Sequence, residues 1–258
     1  MQRRILRDLL ILVGAFGFIW LAFSLLSYPE EPQLLSVQKE EKLGEAYVDL
    51  ILMSPGFTEY ENPLVDSAVR VIGDRLLDGL QDTEYHYRFV LFKNDMINAF
   101  TVPGGNILIS TGLIGFCDSP EELAAVMAHE MGHVEERHVI ARLIKELGIK
   151  IVTSGDQYVI GEVTGLITST SFDRKQEEEA DQFAAHLLEQ SSIEPRTLAT
   201  LFRKLEKESG NELMEHFELI STHPNFSSRI REALLYSPGD QFREVPFDLD
   251  WERVKGGL

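Results

Sequence analysis

The stretch His129-Glu130-Met131-Gly132-His133 limits what this chain can fold into more than any other. On an α-helix, residues four apart lie about 40° apart around the axis and about 6 Å along it, so one face carries both imidazoles toward a common point. Two imidazoles aimed that way suit a zinc ion, and Glu130 beside them is placed to take a proton from a water that the metal activates. The start of such a helix is legible in Ser119-Pro120-Glu121-Glu122. Serine serves as N-cap, proline as first helical residue, and glutamate at the third position closes a capping box. The flanking Ala128, Met131 and Val134 are small or apolar, as a buried helix needs. Gly132 costs about 1 kcal/mol relative to alanine at mid-helix. It makes sense if another element packs closely against that turn.

A catalytic zinc site needs three protein ligands and an open position. Cys117 is the single cysteine, so a cysteine-rich site and an intrachain disulfide are both excluded. Beside Phe116 it reads as a small buried hydrophobe. The candidates for a third ligand are His138, Glu177, His223, His86, His186 and His216. His138 follows His133 by five positions, about 140° further round, and cannot reach the same metal if the helix continues. Glu177 is better placed. It shares a helical face with Asp181 one turn on, and that carboxylate can accept a hydrogen bond from the far nitrogen of a ligand histidine and orient its ring. Glu177-Glu178-Glu179 cannot all point inward, so two of the three read as a solvated face.

Leu9 to Leu26 is an uncharged run that Ser27 and Tyr28 extend, close to the ~20 residues that span a bilayer as a helix. Arg3, Arg4 and Arg7 precede it and Glu30 and Glu31 follow, which keeps the N-terminus cytoplasmic and sends the rest across. The run is longer than the usual core of a signal peptide and lacks a convincing small-x-small site after it. The expected organisation is a cytoplasmic stretch 1–8, an uncleaved anchor 9–28, a proline-bounded linker 29–34 and one domain over 35–258. The chain carries a net charge of −18, all of it beyond the first 30 residues, where three arginines outnumber Asp8 and Glu30. So acidic a domain is unsuited to nucleic acid, whose phosphates need neutralising.

Apolar periodicity predicts helices around Leu43–Ile51, after Asn62-Pro63, from 120 into the 130s, around Val139–Leu147, over Arg174–Gln190 and Pro195–Leu205, and around Ile230–Leu235. Tyr85–Phe92, Ile97–Val102 and Ile107–Ile109 read as strands of a small, mostly antiparallel sheet just before the zinc helix. Locally, Gly104-Gly105 does no more than close a hairpin. If one strand forms the rim of a cleft, an extended peptide can pair with it. Residues 148–172 read as a loop or lid, or as a buried connection. The tail from Ser237 looks irregular. The fold class is α+β and mostly helical.

The motif Ala128-His129-Glu130-Met131-Gly132-His133-Val134, taken with Arg174-Lys175-Gln176-Glu177-Glu178-Glu179-Ala180-Asp181, resembles the zinc metallopeptidases related to the CAAX prenyl protease, HtpX and BepA. Asn98-Ala99-Phe100 leading into Pro103-Gly104-Gly105, and Thr222-His223-Pro224 followed by Arg229-Ile230, match as well. The resemblance implies a zincin-like domain, one zinc ion held by His129, His133 and Glu177, Glu130 as general base, and Asp181 behind a ligand histidine. It places His223 near the metal, either assisting the transition state or capping zinc in a resting state. It also raises Asn98, Ala99 and Phe100 as the strand that lines the cleft. One departure is Asp173, where many relatives have serine. A single hydrophobic span is similar to the BepA branch and to the mitochondrial overlapping-activity protease, and unlike the multi-span prenyl protease. The implied partners are protein substrates, unfolded or misassembled envelope proteins, and the membrane. The rival reading is a latent or chaperone-like client-binding protein.

Overall fold

The computed structural model describes residues 35–148, 165, 171–209, 219, 222, 223 and 225–258. The expected anchor 9–28, the linker 29–34, most of the 148–172 connection and His216 lie outside the described residues. Residues 35–258 make one unit and the first 34 another. Among the described residues no helix is long and apolar enough to cross a membrane.

Nine helices and four strands follow in order among the described residues. They are α1 (Val37–Leu52), β1 (Thr58–Glu59), α2 (Pro63–Gly79), β2 (Arg88–Lys93), β3 (Ala99–Val102), β4 (Asn106–Ser110) and α3 (Thr111–Phe116). After these come α4 (Pro120–Glu135), α5 (His138–Leu147), α6 (Arg174–Gln190), α7 (Thr197–Ser209), α8 (Phe226–Leu235) and α9 (Trp251–Lys255). Caps explain several starts. Asn62 accepts from the Leu64 and Val65 amides ahead of Pro63. Ser119 accepts from the Glu122 amide ahead of Pro120. The second half of the expected box differs, because the Glu122 carboxylate takes the Asp118 amide at 2.8 Å. A full capping box does form at α6, between Asp173 and Gln176.

The sheet is mixed: two of its three pairings are antiparallel, as expected, and the pairing of β2 with β4 is parallel, which corrects the antiparallel reading there. Its order is β1-β2-β4-β3. β4 runs parallel to β2, pairing Phe89 with Ile107 and Leu91 with Ile109, while β3 returns antiparallel against β4. The cause lies in the segment between β2 and β3. Asn94 exchanges hydrogen bonds with Thr111, and the Ser110 hydroxyl donates to Met96 O and accepts from the Asn98 amide. Those bonds hold the segment against the end of β4, so β2 and β3 cannot close as a hairpin and β4 lies between them. The hairpin that does form is β3–β4, through Gly104 and Gly105 at positive φ. A Cβ on Gly104 would fall 2.4 Å from Glu41 Cα, so α1 lies directly on that turn.

Alternation along the central strand divides the core. Ile107 and Ile109 face the larger cluster, with α2, α4, α6 and α7. Leu108, with Val90, Phe92 and Phe100, faces a smaller cluster built on α1 and α5. The tail is irregular from Ser237 to Asp250, as read, but it is docked and ends in α9. Arg75 donates to Val245 O and lies 3.6 Å from the centre of the Phe247 ring. The Trp251 indole donates to Cys117 O at 2.9 Å, and Tyr60 and Asn62 both donate to Gly257 O. Cys117 is buried, as read, and burial pushes its thiol pKa up.

Candidate metal centre

The helix α4 crosses α6 at Gly132, where an added Cβ would meet the Ala180 Cα and carbonyl oxygen at 2.9 Å. That is the close approach its sequence position called for. The crossing brings Glu177, one turn before Ala180, against His129 and His133. His129, His133, Glu177 and His223 all present a ligand atom within 4.8 Å of one another, and all four are buried. His86 is bonded to Glu41 at the surface and His186 to Tyr236, so neither enters this group.

Individual separations are more telling. The Nε2 atoms of His129 and His133 lie 3.2 Å apart, and His129 Nε2 lies 3.2 Å from His223 Nδ1. Glu177 Oε1 is 2.9 Å from His223 Nδ1 and 3.6 Å from His133 Nε2. Around a zinc ion with bonds of 2.0–2.1 Å, a tetrahedral edge is about 3.3 Å. The Nδ1 atom of His129 faces the Asp181 carboxylate at 2.9 Å, so it carries the proton and Nε2 is a bare lone pair. Two imidazole lone pairs at the 3.2 Å between His129 and His133 repel one another unless a cation or a proton lies between them, while His223 Nδ1 is within hydrogen-bonding distance of Glu177. The donor set therefore fits a zinc ion, with Asp181 in its expected place behind a ligand ring.

Beside the quartet, Glu130 is fully buried. Its Oε2 accepts from the Thr101 hydroxyl at 2.8 Å, while Oε1 has no hydrogen-bond partner among the described residues and faces His223 Nε2 at 3.4 Å. A buried carboxylate oxygen left open is unstable unless something polar occupies the space before it. Thr101 lies in β3, two residues beyond Ala99. Asn98, Ala99 and Phe100 are all buried, Ala99 facing the larger cluster and Phe100 the smaller. β3 is one of the two edge strands of the sheet.

Arg229 gives the site its positive charge. It is buried on α8, grips Asp181 through Nε and Nη2 at 2.7 Å each, and pairs with Glu177 Oε2 at 2.6 Å. Its guanidinium lies 4.2 Å from the Phe202 ring centre. Burial alone pushes the Asp181 carboxyl up, but Arg229 and then His129 outweigh it and hold the group far below the usual range. Glu177 is likewise pushed up by burial and brought below its ordinary value by His223 and Arg229. Burial, followed by the neighbouring histidines, keeps the His133 ring neutral. Reasoning from sequence gave Thr101 no role and Arg229 none beyond its place in a matching motif. Phe172, whose ring stacks on His133 at 3.8 Å, was also missed. His138 falls outside the quartet, as expected, though not along a continuous helix.

The description "Peptidase family M48" matches residues 63–236, a stretch that contains the whole quartet, Glu130, Asp181 and Arg229. The chain is 30% identical over 217 residues to the "Beta-barrel assembly-enhancing protease" of Escherichia coli K12, covering 77% of this chain and 44% of that protein. It is 30% identical over 189 residues to "Metalloprotease LoiP" of the same organism, covering 69% of this chain and 70% of that one. It is 35% identical over 146 residues to "Mitochondrial metalloendopeptidase OMA1" of Arabidopsis thaliana, covering 54% of this chain and 30% of that one. The chain thus spans less than half the length of the first of these relatives. With more than half of its own length matched, the chain belongs to peptidase family M48.

Proposed function

We propose that this chain is a zinc-dependent endopeptidase, anchored in a membrane by residues 9–28 with its domain on the extracytoplasmic side, and that it acts on unfolded or misassembled proteins of the cell envelope. The observation that carries the reading is the buried quartet of ligand atoms with the open Glu130 oxygen beside it. His129, His133 and Glu177 would hold the metal. Zinc held there supplies Lewis acidity, polarising the scissile carbonyl and lowering the pKa of water toward about 7. Glu130 receives the proton of the attacking water on Oε1 and passes it to the departing amine. The Thr101 hydroxyl fixes the other oxygen, so the carboxylate does not rotate away. Asp181 and Arg229 fix the His129 ring. The outer edge of β3 receives the substrate as an added strand. The names of the first relatives support an envelope role, and the arginines before residue 9 support the orientation. Glu130→Gln is expected to retain zinc and lose casein cleavage by at least about 100-fold. Metal analysis beside the cleavage assay checks both, and cleavage retained by that variant would remove Glu130 from its role.

A second reading has its own observation. Catalytic zinc sites keep one position open, whereas sites with four protein ligands are closed. Here His223 would take the fourth place, since its Nδ1 lies 3.2 Å from His129 Nε2, and the quartet is buried. This favours a latent form in which His223 would cap the metal. His223→Ala then raises casein cleavage; a fall would instead make His223 an assisting group.

A further inference from the structure

We infer that His138, backed by Glu179, is the positioning partner of His133, a relay of two side chains that orients one zinc ligand from behind. The inference rests on the zinc reading of the quartet. His133 and His138 meet Nδ1 to Nδ1 at 3.0 Å, and both rings are buried. His138 Nε2 lies 3.2 Å from Glu179 Oε2, and the other oxygen of that carboxylate pairs with Lys175 at 2.8 Å.

The protons in this chain of groups have one consistent arrangement. When His133 presents a bare Nε2 to the metal, its proton is on Nδ1. The Nδ1 of His138 must then accept, which puts the proton of His138 on Nε2, where Glu179 accepts it. Every donor meets an acceptor, and reversing any one proton leaves two lone pairs or two N–H groups facing. The two ligand histidines are therefore held in different ways. His129 leans directly on a buried carboxylate gripped by Arg229, at 2.9 Å. His133 leans on a neutral ring whose carboxylate stands at the edge of the fold, one third exposed.

The backbone is built around this contact. An unbroken helix would carry His138 about 140° away from His133. Instead α4 stops, Arg137 takes the left-handed conformation at φ 55 and ψ 28, and α5 begins at His138. The Arg137 side chain holds the break by donating to Leu35 O and pairing with buried Glu40, both at 2.7 Å. Glu179, read from sequence as part of a solvated face, acquires a use for one of its oxygens.

The test is zinc affinity, measured on the full chain by competition with a chromophoric chelator, together with the melting temperature of the metal-free form. Loss of a partner behind a ligand histidine typically weakens metal binding 10–100-fold. His138→Leu is expected to fall in that range. His138→Gln, whose amide oxygen can accept from His133 while its nitrogen donates to Glu179, is expected to recover most of the loss. Glu179→Gln sits at the rim, where the fold tolerates change, and is expected to lose a few-fold; it carries the test if the leucine variant does not fold. Affinities within twofold of wild type for both His138→Leu and Glu179→Gln, or equal losses in the leucine and glutamine variants of His138, would overturn the inference. A wild-type chain that binds no zinc would instead sink the metal-centre reading beneath it.

Discussion

Asp181 has a hydrogen bond on each side: one oxygen faces His129 Nδ1 at 2.9 Å, and both oxygens receive Arg229 at 2.7 Å. Asp181→Asn removes the charge and leaves the Arg229 cation buried with less compensation, a loss of about 3–5 kcal/mol. In metal-free protein that is a fall in melting temperature on the order of 10 °C. The pH dependence follows from the direction of the shift. The folded carboxyl titrates below its unfolded value near ~3.9, so its stabilisation is complete above that pH and is lost as the pH falls through the folded value. The gap between wild type and variant should stay level from pH 7 to about 5 and narrow below about 4. Thermal melts in chelator across that range check it, and a gap still level at pH 2 would separate the shift from stability. The clustered side chains were legible because helical spacing is a local property: His129 and His133 share a face by arithmetic, as do Glu177 and Asp181. Arg229 was not, because its two acidic partners lie about fifty positions away and no periodicity connects them.

Among the elements, the crossing of α4 and α6 at Gly132 sets how far Glu177 stands from the histidines. Gly132→Ala would gain about 1 kcal/mol of helix propensity. Its Cβ would meet Ala180 backbone at 2.9 Å, and backbone does not yield as the tip of a side chain does. Overpacking of this kind costs about 1–3 kcal/mol and forces the helices apart. The expected outcome is a lower melting temperature and weaker zinc binding together, both measurable on one preparation; a more stable alanine variant would show slack in the crossing. The sequence carried this contact as a mid-helix glycine that called for a close neighbour, without saying which element it was. It separated a helix ending in the 130s from one around Val139, but it did not carry the left-handed turn at Arg137 between them, since arginine has no preference for positive φ. Nor did it carry the parallel pairing of β2 with β4. Three short strands with short connections fit an antiparallel pattern equally well, and the deciding bonds from Ser110 and Thr111 to the Asn94–Asn98 segment leave no trace in alternation.

At the scale of the whole molecule, residues 245–257 tie the scaffold together behind the site. The tail bonds to α2 through Arg75, to the N-terminal turn of α4 where Glu121 accepts the Phe247 amide, and to Cys117 through Trp251. Trp251→Ala removes a buried ring and that bond, an expected loss of about 3–5 kcal/mol. Because the ring lies away from the quartet, zinc stoichiometry should be unchanged at low temperature while the melting temperature falls. Loss of both together would mean the tail governs the site directly. The docking also sets an order in time. The amide side chain that caps α2, Asn62, donates to the carbonyl of Gly257, almost two hundred positions later. Ribosomes add about 5–20 residues per second, so on the order of 10 s or more separates the synthesis of those two residues. All the proposed zinc ligands emerge from the ribosome before the segment that closes the scaffold behind them. A nascent chain therefore carries all the clustered side chains for several seconds before the bond between Asn62 and Gly257 can form.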